Sequence, residues 1–163
     1  MKKMTFVTYP MVALMLLVSS ISNSNIQAEM AMAHSSIMVM DPWIRSAPPM
    51  VKNGAAYFML HNSTDIDVTV VDVQSSVAKT ASMHDVEIED DLTKMVHLKS
   101  LTIPAGKMVN FAPGGKHLML IDLQEKLKVG SVFSVTFILG NGEKITSEMT
   151  VKSGSGNNHQ HQH

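Results

Sequence analysis

The chain has 163 residues, 45% of them hydrophobic and 17% charged, which supplies one packed core and argues against wholesale disorder. Its formal net charge is −1, so it carries no basic footprint for nucleic acid. It contains no cysteine, which excludes disulfides, thiolate zinc sites, thiol redox catalysis, a lipid-bearing cysteine at a leader junction and a blue-copper centre.

In chain order, Lys2 and Lys3 give a short positive start, and residues 9–18 are apolar apart from Pro10. That run is too short to cross a membrane and has the form of a signal-peptide core. Small polar residues follow over 19–25. Cleavage is expected after Ala28, and the Ala31-Met32-Ala33 pattern offers an alternative after Ala33. Loss of the leader removes both lysines and leaves 11 basic against 14 acidic residues, a net charge of −3. The expected organisation is a signal peptide over 1–28, a β domain over 37–152 and a flexible tail over 153–163.

The domain reads as short strands. Residues 37–40 form one, ended by Asp41-Pro42, and Trp43-Ile44-Arg45 leads into the rigid segment Ala47-Pro48-Pro49. Residues 54–60 and the β-branched run 68–73 are strands, while 75–82 reads as a loop. Residues 83–88 alternate, Glu89-Asp90-Asp91 is an acidic turn, and 95–98 is the next strand. Ile103-Pro104-Ala105-Gly106 turns the chain into 108–111, and Pro113-Gly114-Gly115 turns it into 117–123. Residues 132–139 are a buried strand, and Asn141-Gly142 predicts a type I′ hairpin to 145–151. Strands this short, at turn-punctuated intervals, predict a single all-β sandwich or barrel.

The densest chemistry lies between 83 and 119: Met83-His84, then Met95, then His117-Leu118-Met119. Two imidazoles with two or three thioethers make a soft donor set suited to Cu(I). On a strand, residues two apart share a face, so His117 and Met119 point together, away from Leu118 and Leu120. Met83 and His84 are neighbours and face opposite ways. His84 is the expected ligand, and Met83 joins only if the backbone bulges. Met95 comes from a third segment, so the fold must assemble the site. His97, two residues after Met95, is a candidate alternate ligand or outer partner, and His61 reads as a surface residue at a strand end. His159, His161 and His163 in the tail, and His34 as a new N-terminus after the later cleavage, are secondary candidates, since imidazole suits Cu(II). Each residue also has an ordinary role open to it: methionine fills core gaps, and histidine hydrogen-bonds at surfaces.

The spacing His84-x10-Met95-x21-His117-x-Met119, with Met83 in an optional position, resembles the motif of the periplasmic copper chaperone family PCu(A)C. Asp41-Pro42-Trp43-Ile44-Arg45, Gly54-Ala55-Ala56-Tyr57, Ile103-Pro104-Ala105-Gly106 and Pro113-Gly114-Gly115 are similar to that family too, so the resemblance covers residues 37–151. It implies a cupredoxin-like, Greek-key β fold holding one Cu(I) through His84, Met95, His117 and Met119. It further implies a periplasmic carrier, not an enzyme, that delivers copper to the dinuclear CuA centre on subunit II of cytochrome c oxidase, alongside Sco-type copper proteins. Some members have His- and Met-rich C-terminal extensions that bind Cu(II), and this tail resembles one. The expected protein is a monomer without stable membrane insertion. The residues alone leave three readings open: a carrier with an acceptor, a copper buffer without one, and a β-sandwich whose methionines only pack.

Overall fold

The computed structural model describes residues 36–89 and 92–154, all within one compact unit, Ser35–His163. The expected leader, both cleavage points, His34, the Asp90-Asp91 pair and the tail histidines His159, His161 and His163 lie outside the described residues. Among the described residues there are ten strands and no helix: β1 (Ile37–Arg45), β2 (Asn53–Asn62), β3 (Val68–Ser75), β4 (Ala78–Glu89), β5 (Leu92–Leu98), β6 (Leu101–Ile103), β7 (Met108–Phe111), β8 (His117–Leu123), β9 (Val132–Leu139) and β10 (Lys144–Lys152).

The strands pair in the order β5-β4-β8-β2-β1-β10-β9-β3-β6. β7 joins β2 on the edge it shares with β8, pairing the C-terminal half of β2 while β8 pairs the N-terminal half. β1 and β10 run parallel, and the other pairings are antiparallel. The ladder folds over so that β3 packs against β4, and a core forms between the two layers. Period-two alternation feeds that core: on β9, Val135, Phe137 and Leu139 point in while their neighbours point out. Phe58 stacks on Phe111 with ring centroids 4.5 Å apart and meets Phe137 edge-on at 5.1 Å. Ile44, Leu60, Leu118, Leu120 and Met149 complete the sealed interior. This is the expected all-β, cupredoxin-like sandwich.

Several local expectations change. Asp41-Pro42 does not end β1. Asp41 adopts a left-handed φ of 48°, and the register slips between the pairs Met40–Met59 and Trp43–Tyr57. This bulge carries the strand past the proline and keeps Trp43 on the outer face with Ile44 in the core. Residues 75–82 are not a loop either. β3 continues to Ser75 and β4 begins at Ala78, because pairing with β8 and burial of Val77 and Ala78 outweigh the low strand preference of small residues. The β9–β10 hairpin is not type I′. The Gly142 N–H donates to the Leu139 carbonyl at 2.9 Å, and Gly142 (φ 86°) is left-handed while Asn141 is not. The connection is therefore the three-residue kind with a glycine bulge. Asn141 accepts the Glu143 N–H through its side-chain oxygen at 2.9 Å.

One buried polar residue locks the far end of β2. The Asn62 amide donates to the carbonyls of Ile66 and Ile103 at 2.7 and 2.9 Å, and its oxygen accepts from the Thr64 N–H and hydroxyl. With every polar atom satisfied, its burial is tolerated and the 62–66 turn is pinned to β6.

Candidate metal centre

β4 lies between β5 and β8, and that placement assembles the site. His84 on β4 stands opposite His97 on β5 and His117 on β8, so three imidazoles form one cross-strand row. The His84 ring centroid is 5.2 Å from that of His97 and 5.8 Å from that of His117, the latter pair stacked at 22°. Met119 pairs with Ser82, two residues along β4 in one direction. Met95 pairs with Val86, two residues along in the other. All four expected ligands and His97 thus share the outer face. Met83 does not join them. β4 is regular here, so Met83 turns to the opposite side, paired with Leu118 and Leu98 and only 3% exposed. It is a core residue, and its burial takes it out of the secondary ligand set.

A cavity of about 360 Å³ opens on this face, lined by Met95, His117, Met119, Val86, Arg45 and Tyr57 among others. Met95 is 55% exposed, which puts a thioether at the surface. Among the described residues, no three His, Cys, Asp or Glu side chains are gathered to hold a metal. The other soft donors on this face are the thioethers of Met95 and Met119, and thioethers select soft ions.

Hydrogen bonds prepare the two main imidazoles. Pro113 and Gly114 occupy the centre of a turn closed by the Gly115 N–H on the Ala112 carbonyl at 3.1 Å, with Gly114 at φ 87°. A proline followed by a left-handed glycine is the type II sequence. The turn presents the Gly115 carbonyl, which accepts the Nδ1–H of His117 at 2.9 Å. A carbonyl only accepts, so His117 carries a proton on Nδ1, and in the neutral ring Nε2 is then the lone-pair nitrogen open to a metal. His84 Nε2 is 3.0 Å from the Ser82 hydroxyl, and its Nδ1 is buried with no hydrogen-bond partner among the described residues. An orphaned buried nitrogen calls for a reason, and a ligand atom is one. Burial, with His97 and His117 alongside, holds the His84 imidazole below its ordinary 6.5. The neutral ring is the form that binds metal.

On the reverse face, Lys116 and Asp85 form a salt bridge that ties β8 to β4 beside the His117–His84 pair. The Lys116 ammonium holds the Asp85 carboxyl below its ordinary value. Arg45 leaves a fixed cation on the cavity wall, its guanidinium carbon 5.1 Å from the centre of the Tyr57 ring. Trp43 packs on that ring from β1, with centroids 4.7 Å apart.

Sequence reasoning missed Ser82, Arg45 and Tyr57 as parts of the site. Ser82 was within reach, since it lies two residues from His84 on the same strand. Arg45 and Tyr57 carry no local signal, because the bulge at Asp41 sets their register. The Pro113-Gly114-Gly115 turn was legible, but the role of its carbonyl was not.

Fold and site together define a cupredoxin-like β domain with a histidine–methionine centre at its surface. The family described as "Putative lipoprotein LpqE-like" matches residues 37–151. The "Putative lipoprotein Lxx21020" of Leifsonia xyli subsp. xyli is 31% identical over 123 residues, covering 75% of this chain and 73% of that protein. Cu(I)-bound DR1885 from Deinococcus radiodurans is 27% identical with a TM-score of 0.59, covering 80% of this chain and 87% of that one. The copper-bound PCuAC domain from PmoF2 shares the fold at 21% identity and a TM-score of 0.62, covering 74% of this chain and 96% of that one. The chain belongs to the LpqE-like family, whose fold is that of the PCuAC copper-chaperone domains. None of its 163 residues is a cysteine. No helix of the described residues is long and apolar enough to cross a membrane.

Proposed function

We propose that the protein is an exported, periplasmic copper chaperone that binds Cu(I) through His84, Met95, His117 and Met119. The observation that carries this reading is the shared cavity: Met95, His117 and Met119 line it, and the His84 ring stacks on His117. Neutral thioethers and imidazoles leave the bound ion with its full positive charge. Arg45 on the wall opposes retention of that charge, so an acceptor with anionic thiolates takes the ion by stepwise ligand exchange. His97, beside His84, serves as an outer partner or relay ligand. The acceptor is the CuA centre on subunit II of cytochrome c oxidase, with Sco-type proteins acting alongside. Residues 1–28 are the export signal, and the tail histidines His159, His161 and His163 capture Cu(II).

A competitive Cu(I) titration of wild type against Met119→Ala, with X-ray absorption to count sulfur and nitrogen neighbours, tests the centre. Weaker binding and a lost sulfur neighbour are expected, and unchanged affinity would sink the assignment. Deletion of the gene separates delivery from buffering. Loss of oxidase activity at low copper supports delivery, whereas copper sensitivity with normal oxidase supports a buffer.

A further inference from the structure

The outer face of β2 carries a second set of soft donors, away from the His84 cavity. Met38 on β1, His61 on β2 and Met108 on β7 are direct cross-strand partners in that order. One row on, Met40, Met59 and Asn110 repeat the arrangement. Alternation turns all six side chains outward, since the interleaved Ile37, Leu60 and Phe111 are sealed in the core. Met38 is 51% exposed and Met108 60%, so these thioethers do not fill the interior. Among the described residues no hydrogen bond engages the His61 ring.

We propose that Met38, His61 and Met108, with Met40 and Met59 as neighbouring donors, form a second binding site for a soft monovalent ion of the Cu(I) class. Directly opposed residues in an antiparallel pair have Cβ atoms about 4.5–5.5 Å apart, so one ion can sit between an imidazole and the thioethers on either side of it. The next row lies about 7 Å along the strands, within reach of a long flexible methionine. The donors are neutral and soft, which disfavours Mg(II) and Ca(II) and favours Cu(I) or Ag(I). The platform is rigid beneath: Phe58 and Phe111 stack under it, and the Asn62 N–H ties β2 to the Lys107 carbonyl at 2.9 Å, next to Met108. From Ala55, which pairs with Met119, to His61 is about 20 Å along β2, so the two centres share no ligand. The second site therefore stands or falls independently of the His84 centre.

The test titrates the purified full chain, labelled with ¹³C at the methionine methyls, with Ag(I) as a redox-inert probe. Wild type, His61→Ala and a His84→Ala/His117→Ala double variant are compared. The Met38 and Met108 methyl signals are expected to move in wild type and in the double variant. In His61→Ala their apparent affinity drops at least about tenfold while the Met95 and Met119 signals respond as before. Met38 and Met108 signals that stay fixed throughout, or that move equally in His61→Ala, would overturn the proposal. If the double variant fails to fold, the residue-resolved wild-type and His61→Ala titrations still decide it. A fixed Met95–Met119 pair with a moving Met38–Met108 pair would instead remove the first centre and keep the second.

Discussion

The two faces of the sheet use the same side chain for opposite purposes. Met83 and Met149 point inward and are 3% and 0% exposed. Met38, Met95 and Met108 point outward and are more than half exposed, and Met119 lines an open cavity. Inside, a methionine contributes flexible apolar volume and its sulfur is incidental. Outside, burial contributes little and the sulfur lone pairs are what remains available. Residue type does not separate the two roles; the face does. Met83 and His84, adjacent on β4, show the contrast within one dipeptide.

That contrast can be broken most directly from the inside. Met83→Ala should destabilise the apoprotein by about 2–5 kcal/mol in denaturant unfolding, through lost burial and a residual cavity, with the stoichiometry of Cu(I) uptake unchanged. A large loss of copper with little loss of stability would reverse the assignment of faces. On the outer face, His117→Ala should do the opposite. Its Cu(I) affinity should fall by more than the roughly 10–100-fold that loss of an outer partner costs, while its unfolding midpoint barely moves.

Smaller changes sharpen the outer face. Ser82→Ala removes the hydroxyl that fixes the His84 ring and should weaken Cu(I) binding by about tenfold, read by competition with a chromophoric chelator. The smallest effect concerns acid. In the folded chain His84 titrates below 6.5, so as pH falls below that value the unfolded chain takes up its proton first. Apoprotein stability should thus be full above 6.5 and decline as pH drops through the window beneath it. His97→Ala removes one of the neighbouring rings that hold the value down, brings His84 back toward 6.5 and makes that decline shallower. Thermal melts of both proteins between neutral and mildly acidic pH check the sign.

Much of the scaffold was legible from local pattern. The run of residues 132–139 matches β9 because alternating burial of Val135, Phe137 and Leu139 is a short-range signal. The shared outward face of His117 and Met119 follows from strand geometry alone, as does the separation of Met83 from His84. Other features depended on partners distant along the chain. Residues 78–82 look like part of a loop in isolation, and become strand because β8 offers them a ladder. Asp41-Pro42 looks like a stop, and becomes a bulge because β2 continues alongside.

The sequence by itself determined the all-β class, the absence of thiol chemistry and the soft character of the donor set, because these follow from residue type and two-residue periodicity. Only the tertiary structure decided which donors become neighbours: His97 beside His84, Arg45 on the cavity wall, and Met38, His61 and Met108 in one row. The physical reason is that strand register joins segments tens of residues apart. A shift of one residue in that pairing would send every one of these side chains to the other face.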